Sequence, residues 1–273
     1  MYFKLINIFF ILSSCIGFQP NHFVSKKVTF KPKISMNLES CGMDLAIGTL
    51  VTGFTLDNTI SYNSTQLVQF NNSKLFIEGY KKAFVNLLII GPIYFSFVSN
   101  LFIRHNNVIN LMEVFSIIVL HNLGYFIMHT IMHKVNIFRK YHLFHHKFRE
   151  IVFPSIGNAV SPFEFTFAYM IPFITSAIIV NPSNYSYKLA IAIISFFNLI
   201  IHSEELRNIN YYKFLVSPFN HTEHHKVSKT NTYSAPLINF DYLIENIKKI
   251  NIYLTDLFTH IKWGLDTYFN IRI

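Results

Sequence analysis

Four long apolar stretches leave this chain few folds to choose from. They run from Ala83 to Ile103, Leu111 to Met128, Phe163 to Val180 and Leu189 to Ile201. In lipid only a helix or a closed barrel satisfies its own backbone polar groups, and a helix needs about 20 apolar residues to cross. The fourth stretch is short for that task and is expected to tilt or to continue through His202. Gly91-Pro92 marks a kink in the first, and Asn181-Pro-Ser-Asn a turn between the third and fourth. Only 14% of residues are charged, against about 25% in an ordinary soluble domain. The expected fold class is therefore all-α: a multi-pass, about four-span helical membrane protein with a cytosolic, histidine-rich helical cap.

Charge sets the orientation. The net charge of +9 is spread as short Lys/Arg groups beside apolar segments, which favours positive-inside topology and anionic headgroups over nucleic acid. Lys81 and Lys82 precede the first stretch, and Lys134, Arg139, Lys140, Lys147 and Arg149 follow the second. The two intervening loops hold only Arg104 and Lys188. By the positive-inside rule, the ends carrying most histidines face the cytoplasm or a plastid stroma. Cys15 and Cys41 are too few for a disulfide framework or a cysteine zinc site.

Residues 1–38 read as a leader: Lys4, an apolar run from Leu5 to Leu12, small residues to Gly17, then Lys26, Lys27, Lys31 and Lys33 without an acid. This is a signal sequence followed by either a transit-peptide-like segment or an ordinary basic tail. The expected plan continues with a polar, Asn/Ser-rich stretch (39–80) whose one short apolar patch runs from Leu45 to Leu56, a tether or a shallow interfacial segment, then a first span region (81–110), the histidine-bearing domain (111–245) and a C-terminal tail (246–273). An endoplasmic reticulum membrane is expected, with a plastid membrane as the alternative.

Nine of the thirteen histidines fall into a repeated pattern. His129 and His133 are four apart; His142, His145 and His146 form His-x-x-His-His; the same motif recurs at His221, His224 and His225, with His202 nineteen residues before it. Side chains three and four apart share a helix face, so each cluster aims imidazoles at one point. Neutral imidazole is the commonest protein ligand for transition metals, and nine exceed what one tetrahedral ion takes. Two metals follow. A site without cysteine does not suit structural zinc, whereas imidazoles around iron leave positions open for O2. His22, His105, His121 and His260 stand outside the pattern, as ordinary core or surface residues. No Gly-x-Ser-x-Gly, phosphate loop or dinucleotide fingerprint is present, so electrons must come from a partner. A bis-histidine haem carrier would need single histidines within facing spans, and a metal transporter would need ligands at mid-membrane. Only His121 in the second stretch answers to that. A non-catalytic scaffold is the third rival.

The order His-x3-His, His-x-x-His-His, lone His, His-x-x-His-His resembles the fatty acid hydroxylase/sterol desaturase superfamily of membrane di-iron oxidases. Tyr125-Phe-Ile-Met-His129-Thr-Ile-Met-His133 is similar to that family's Tyr-Tyr-x-x-His-Arg-x-x-His. Pro154 and Ser161-Pro162-Phe163-Glu164 resemble its Pro and His-Pro-x-Glu elements; Asn231, Tyr233 and Phe240-Asp241-Tyr242-Leu243 resemble Asn-Tyr-Gly and Trp-Asp-x-Leu. Departures are Asn122 for an acid, Thr130 for Arg, Ser161 for His, Ser234 for Gly, and Leu206 where some members have a further His. The resemblance implies two non-haem iron ions held by the nine histidines, with Asp241 and Glu164 as carboxylates orienting histidine N–H groups. It implies an O2-dependent hydroxylase or desaturase of a lipid, a sterol first and a fatty acyl chain or carotenoid next. A cytochrome b5-like or ferredoxin-like electron donor would serve it, with no nucleic-acid partner. A plastid carotenoid ring hydroxylase and a divergent non-catalytic member are the alternatives.

Overall fold

The computed structural model describes residues 42–106, 108–149, 151–226 and 232–270. The leader, Cys15, Cys41, His22 and Asn231 lie outside them. The described residues are helical, with two isolated bridges, Arg104 to Ser183 and Leu215 to Ile238, as the β pairing among them.

Among the described residues four helices are long and apolar enough to cross a membrane: α3 (Ser73–Phe102), α4 (Leu111–Lys134), α6 (Pro162–Val180) and α7 (Asn184–Ile201). Short elements α1 (Met43–Thr59), α2 (Tyr62–Asn71), α5 (Asn136–His142) and α8 (Pro218–Lys226) join them, and α9 (Phe240–Asn270) ends the described chain. The ends of the spans have local causes. The Asn110 side chain accepts the Met112 N–H at the start of α4, and Ser161 and Ser183 cap α6 and α7 in the same way. Asn181, left-handed at φ 47°, stops α6 and lets the chain return.

The fourth span is longer than its apolar run suggested. It begins at Asn184 because Lys188, buried, is neutralised by Asp44 at 2.6 Å. The apolar window of α7 is 61% buried against 22% for α3, so α7 is the central helix and α3 belongs to the lipid-facing rim.

The stretch expected as a polar tether holds α1, α2 and the start of α3. α1 packs along α7 and against the turn Pro154–Asn158. Asp44 at its start meets Lys188, near the start of α7; Asp57 near its end accepts the Ser155 N–H at 3.1 Å and the Tyr80 hydroxyl at 2.6 Å. At about 1.5 Å per residue its 17 residues reach about 25 Å. Gly53 permits the approach: a Cβ there would stand 2.8 Å from the Ser155 hydroxyl.

Candidate metal centre

Five pieces of chain bring histidines to one end of the bundle. α4 carries His129 and His133 in its last two turns. The chain reverses at Val135 into α5, which places His142, and the 3-10 turn His145–Lys147 adds two more. His202 follows α7 directly, and α8 supplies His221, His224 and His225. Eight of these nine are buried, and His133 is half-buried.

The nine sort into two groups, each with ligand atoms within 4.8 Å of one another: His129, His133, His142, His146 and His224 in one, His145, His202, His221 and His225 in the other. Helical spacing explains the division. In each His-x-x-His-His motif the first and last histidines, four apart, stay together, and the middle one crosses over. Thus His145 leaves His142 and His146, and His224 leaves His221 and His225. His146 and His225, one from each group, stack at 4.9 Å. His121 joins neither group and lies buried at mid-span against Phe173, ring centroids 3.9 Å apart; His105 and His260 are exposed.

Within the groups the Nε2 atoms point at one another. His129 lies 3.0 Å from His142 and 3.2 Å from His133; His146 lies 2.8 Å from His142. In the second group His202 stands 2.9 Å from His221 and 3.3 Å from His145. A metal–imidazole bond of about 2.1 Å puts ligands at right angles about 3.0 Å apart, so these nitrogens already hold cis-ligand spacing. His225 has both ring nitrogens buried without a hydrogen-bond partner, and His145 has its Nδ1 so. Buried polar atoms left in that state are costly unless a ligand serves them. The donor set fits two transition metals that accept nitrogen.

The opposite ring nitrogens fix the tautomers. His129 Nδ1 donates to the Tyr233 carbonyl at 2.8 Å, His142 Nδ1 to Glu164 Oε1 at 2.6 Å, and His202 Nδ1 to the Asn198 carbonyl at 2.6 Å. Each such bond leaves Nε2 with its lone pair inward. Glu164 thus orients a histidine directly. Asp241 acts one step away: its Oδ2 accepts the backbone N–H of Tyr233 at 2.7 Å and of Ser234 at 2.8 Å, which sets the Tyr233 carbonyl.

The departures from the family pattern have structural roles of their own. Asn122 Oδ1 accepts the N–H groups of Leu237 and Ile238, so an amide oxygen takes the accepting role an acid would have. The Thr130 hydroxyl donates to the Phe126 carbonyl, Ser161 caps α6, the Ser234 hydroxyl accepts the Asp241 N–H, and Leu206 is fully buried. Sequence reasoning missed the carbonyls of Tyr233 and Asn198, because a backbone acceptor leaves no residue-type signal. It also missed Gly157, where a Cβ would come within 2.9 Å of His202 Nδ1.

Electrostatics favour ligation. Burial first, and neighbouring histidines next, hold His142, His145, His221, His224 and His225 well below the usual imidazole range. His146 is pushed down to about 3 and His202 to about 4, again chiefly by burial. At neutral pH all seven are uncharged, with lone pairs available.

The model of the fatty acid hydroxylase family matches residues 114–246, which contain all nine histidines. Over that segment the chain is similar to the fatty acid hydroxylase family. No curated protein and no solved structure matches the chain. The matched segment begins inside α4 and ends in the first turns of α9, so α1, α2 and α3 lie outside it.

Proposed function

We propose that the protein is a membrane-bound di-iron oxidase that hydroxylates or desaturates a lipid, using O2 and two electrons from a carrier protein. The observation that carries this reading is the pairing of two adjacent, buried, all-histidine groups at one end of a membrane bundle. Two irons, when bound, supply activation of O2 for attack on an unreactive C–H bond. The protein's own residues do the rest. Tyr233, Glu164 and Asn198 fix the rings of His129, His142 and His202, and the bundle keeps bulk water from eight of the nine histidines. A site at the span ends admits an apolar substrate from the bilayer without passage through water.

Lys134, Arg139, Lys140, Lys147 and Arg149 are exposed around the histidine-bearing turns. That field suits an acidic electron carrier of the cytochrome b5 or ferredoxin kind. Together with the positive-inside rule it favours a cytosol-facing site in the endoplasmic reticulum, or a stroma-facing one in a plastid.

Metal content tests the reading. Protein purified gently in detergent is expected to hold about two irons per chain, one per group. His145→Ala and His224→Ala, the two crossing histidines, should each lower that figure sharply. Little iron, or iron unchanged in both variants, would remove the oxidase assignment.

A further inference from the structure

His202 of the four-histidine group rests against a turn, Pro154–Asn158, whose five residues are all buried. The Gly157 carbonyl of that turn accepts Asn198 Nδ2 and the Tyr169 hydroxyl, each at 3.1 Å. Asn198 also faces the other way, because its own carbonyl accepts His202 Nδ1 at 2.6 Å. Gly157 itself lies close to that ring: a Cβ there would stand 2.9 Å from His202 Nδ1. Movement of the turn therefore reaches His202 by two routes, through Asn198 and through the bare Gly157 backbone.

The groups that hold the turn from its other side lie outside the matched segment. Asp57 of α1 is fully buried; its Oδ1 accepts the Ser155 N–H at 3.1 Å and its Oδ2 the Tyr80 hydroxyl of α3 at 2.6 Å. Gly53, four residues earlier and so on the same face of α1, has no side chain to hold that face off Ser155. From α3 the fully buried Asn86 donates its Nδ2 to the carbonyls of Asn158 at 2.9 Å and Val160 at 3.0 Å.

An irregular turn inside an apolar bundle has no helix to satisfy its backbone, so side chains must do so. Asp57 takes one end of the turn and Asn86 the other, with Gly157 between them. A second observation points to Asn86. It opens a π-helical turn, Asn86–Ile90, within α3. Such turns are rare and are frequent at functional places in a helix.

We propose that Asp57 and Asn86 are positioning residues for the four-histidine group, acting on His202 through Gly157 and Asn198. They set where the Gly157 backbone rests, and Asn198 passes that setting to the His202 ring. The Nε2 of that ring faces His221 at 2.9 Å and His145 at 3.3 Å. Partners outside the ligand shell tune a metal site by orienting its ligands. The inference rests on the reading of the two groups as metal sites. It gives α1 and α3 a share in a centre whose ligands all lie in the matched segment.

The test loads full-length protein in detergent with Co2+ and follows its visible absorption during release to a graded chelator. His202→Ala and His133→Ala identify the phases of the four- and five-histidine groups. Asp57→Ala is expected to weaken the four-histidine phase roughly ten-fold, the lower end of the effect of an orienting partner, and to leave the five-histidine phase unchanged. Asn86→Ala should act on the same phase in the same direction. Asp57→Asn keeps an acceptor oxygen for Ser155 and should recover most of the affinity. Asp44→Ala tests for a merely structural role, since it removes the carboxylate at the opposite end of α1, that of the Lys188 pair. It should lower thermal stability with both phases intact. Equal loss of affinity in Asp44→Ala and Asp57→Ala would overturn the proposal, because α1 would then act only by docking. A four-histidine phase unchanged in both Asp57→Ala and Asn86→Ala would overturn it too. Should Asp57→Ala fail to fold, Tyr80→Phe, which strips one bond from Asp57, takes its place with a smaller shift in the same phase. A parent protein that binds no Co2+ would remove the metal reading and the proposal together; bound Co2+ indifferent to the variants removes the proposal alone.

Discussion

The two histidine groups use the same ligand chemistry but are held in different ways. In the five-histidine group, His129 is braced by a carbonyl 104 residues away and His142 by a carboxylate 22 residues away. In the four-histidine group His202 is braced by a carbonyl of its own helix, while His225 has no hydrogen-bond partner on either ring nitrogen and His145 none on Nδ1. The first group is organised by the fold before any metal arrives. The second would depend more on a bound metal for its order.

Acid should produce the largest effect, and should not separate the groups. An unfolded chain takes up a proton on each histidine as pH falls below 6.5, whereas His202 waits until about 4 and His146 until about 3. Within that window the unfolded state binds more protons, so the metal-free protein loses stability as pH falls and regains it as pH rises. The effect is absent above pH 6.5, where both states are neutral. Thermal unfolding of chelator-treated protein from pH 8 to pH 4 is expected to show a plateau and then a steep fall. A flat profile would mean that the histidines are hydrated, not packed as described.

Chelation should separate what acid does not. Bracing of metal ligands is worth roughly 10–100-fold in affinity, so the four-histidine group is expected to release its metal first in a graded chelator titration. Release in one phase would erase the distinction between the groups. Two substitutions sharpen it from opposite sides. Glu164→Ala removes the brace on His142 and should weaken the five-histidine group by a similar roughly 10–100-fold, while Glu164→Gln, which keeps an acceptor oxygen, should recover part of the loss. Gly157→Ala pushes a methyl group to 2.9 Å from His202 Nδ1 and 3.0 Å from Asn198 Nδ2. Its effect, several-fold and confined to the four-histidine group, is checked by repeating the same titration.

The histidine groups and α1 also differ in how much of each the sequence discloses. Ligand residues are rare types at fixed helical spacing, so the nine histidines and the spans that carry them could be read in advance. The crossing of His145 and His224 could not, because it depends on how α5 and α8 face each other in space. α1 was illegible for another reason. Its apolar patch, Leu45 to Leu56, is short and interrupted by threonines, four in the helix, but Thr52, Thr55 and Thr59 turn their hydroxyls onto carbonyls four residues back, at 2.7, 2.8 and 2.5 Å. Hydroxyls satisfied within their own helix cost little in an apolar setting. Composition counts such groups as polar; the fold does not. The carboxylates divide likewise. Both sit in the first turn of a helix, but Glu164 of α6 reaches His142, while Asp241 of α9 is taken by backbone donors.

The smallest effect on metal should come from furthest away. Asn122 sits inside α4, fully buried, two turns before His129, and its Oδ1 accepts the N–H groups of Leu237 at 2.9 Å and Ile238 at 3.1 Å. These bonds tie the loop after α8 to α4, and the same loop presents the Tyr233 carbonyl to His129. Asn122→Ala would leave two backbone donors without their acceptor, at a cost of about 1–3 kcal/mol for each such buried group. Most of that loss should appear as lower thermal stability. What reaches the metal passes through Tyr233 alone, so the five-histidine group should weaken slightly and the four-histidine group not at all. Equal weakening of both would show that this loop braces the whole centre, and that the two groups are one unit rather than two.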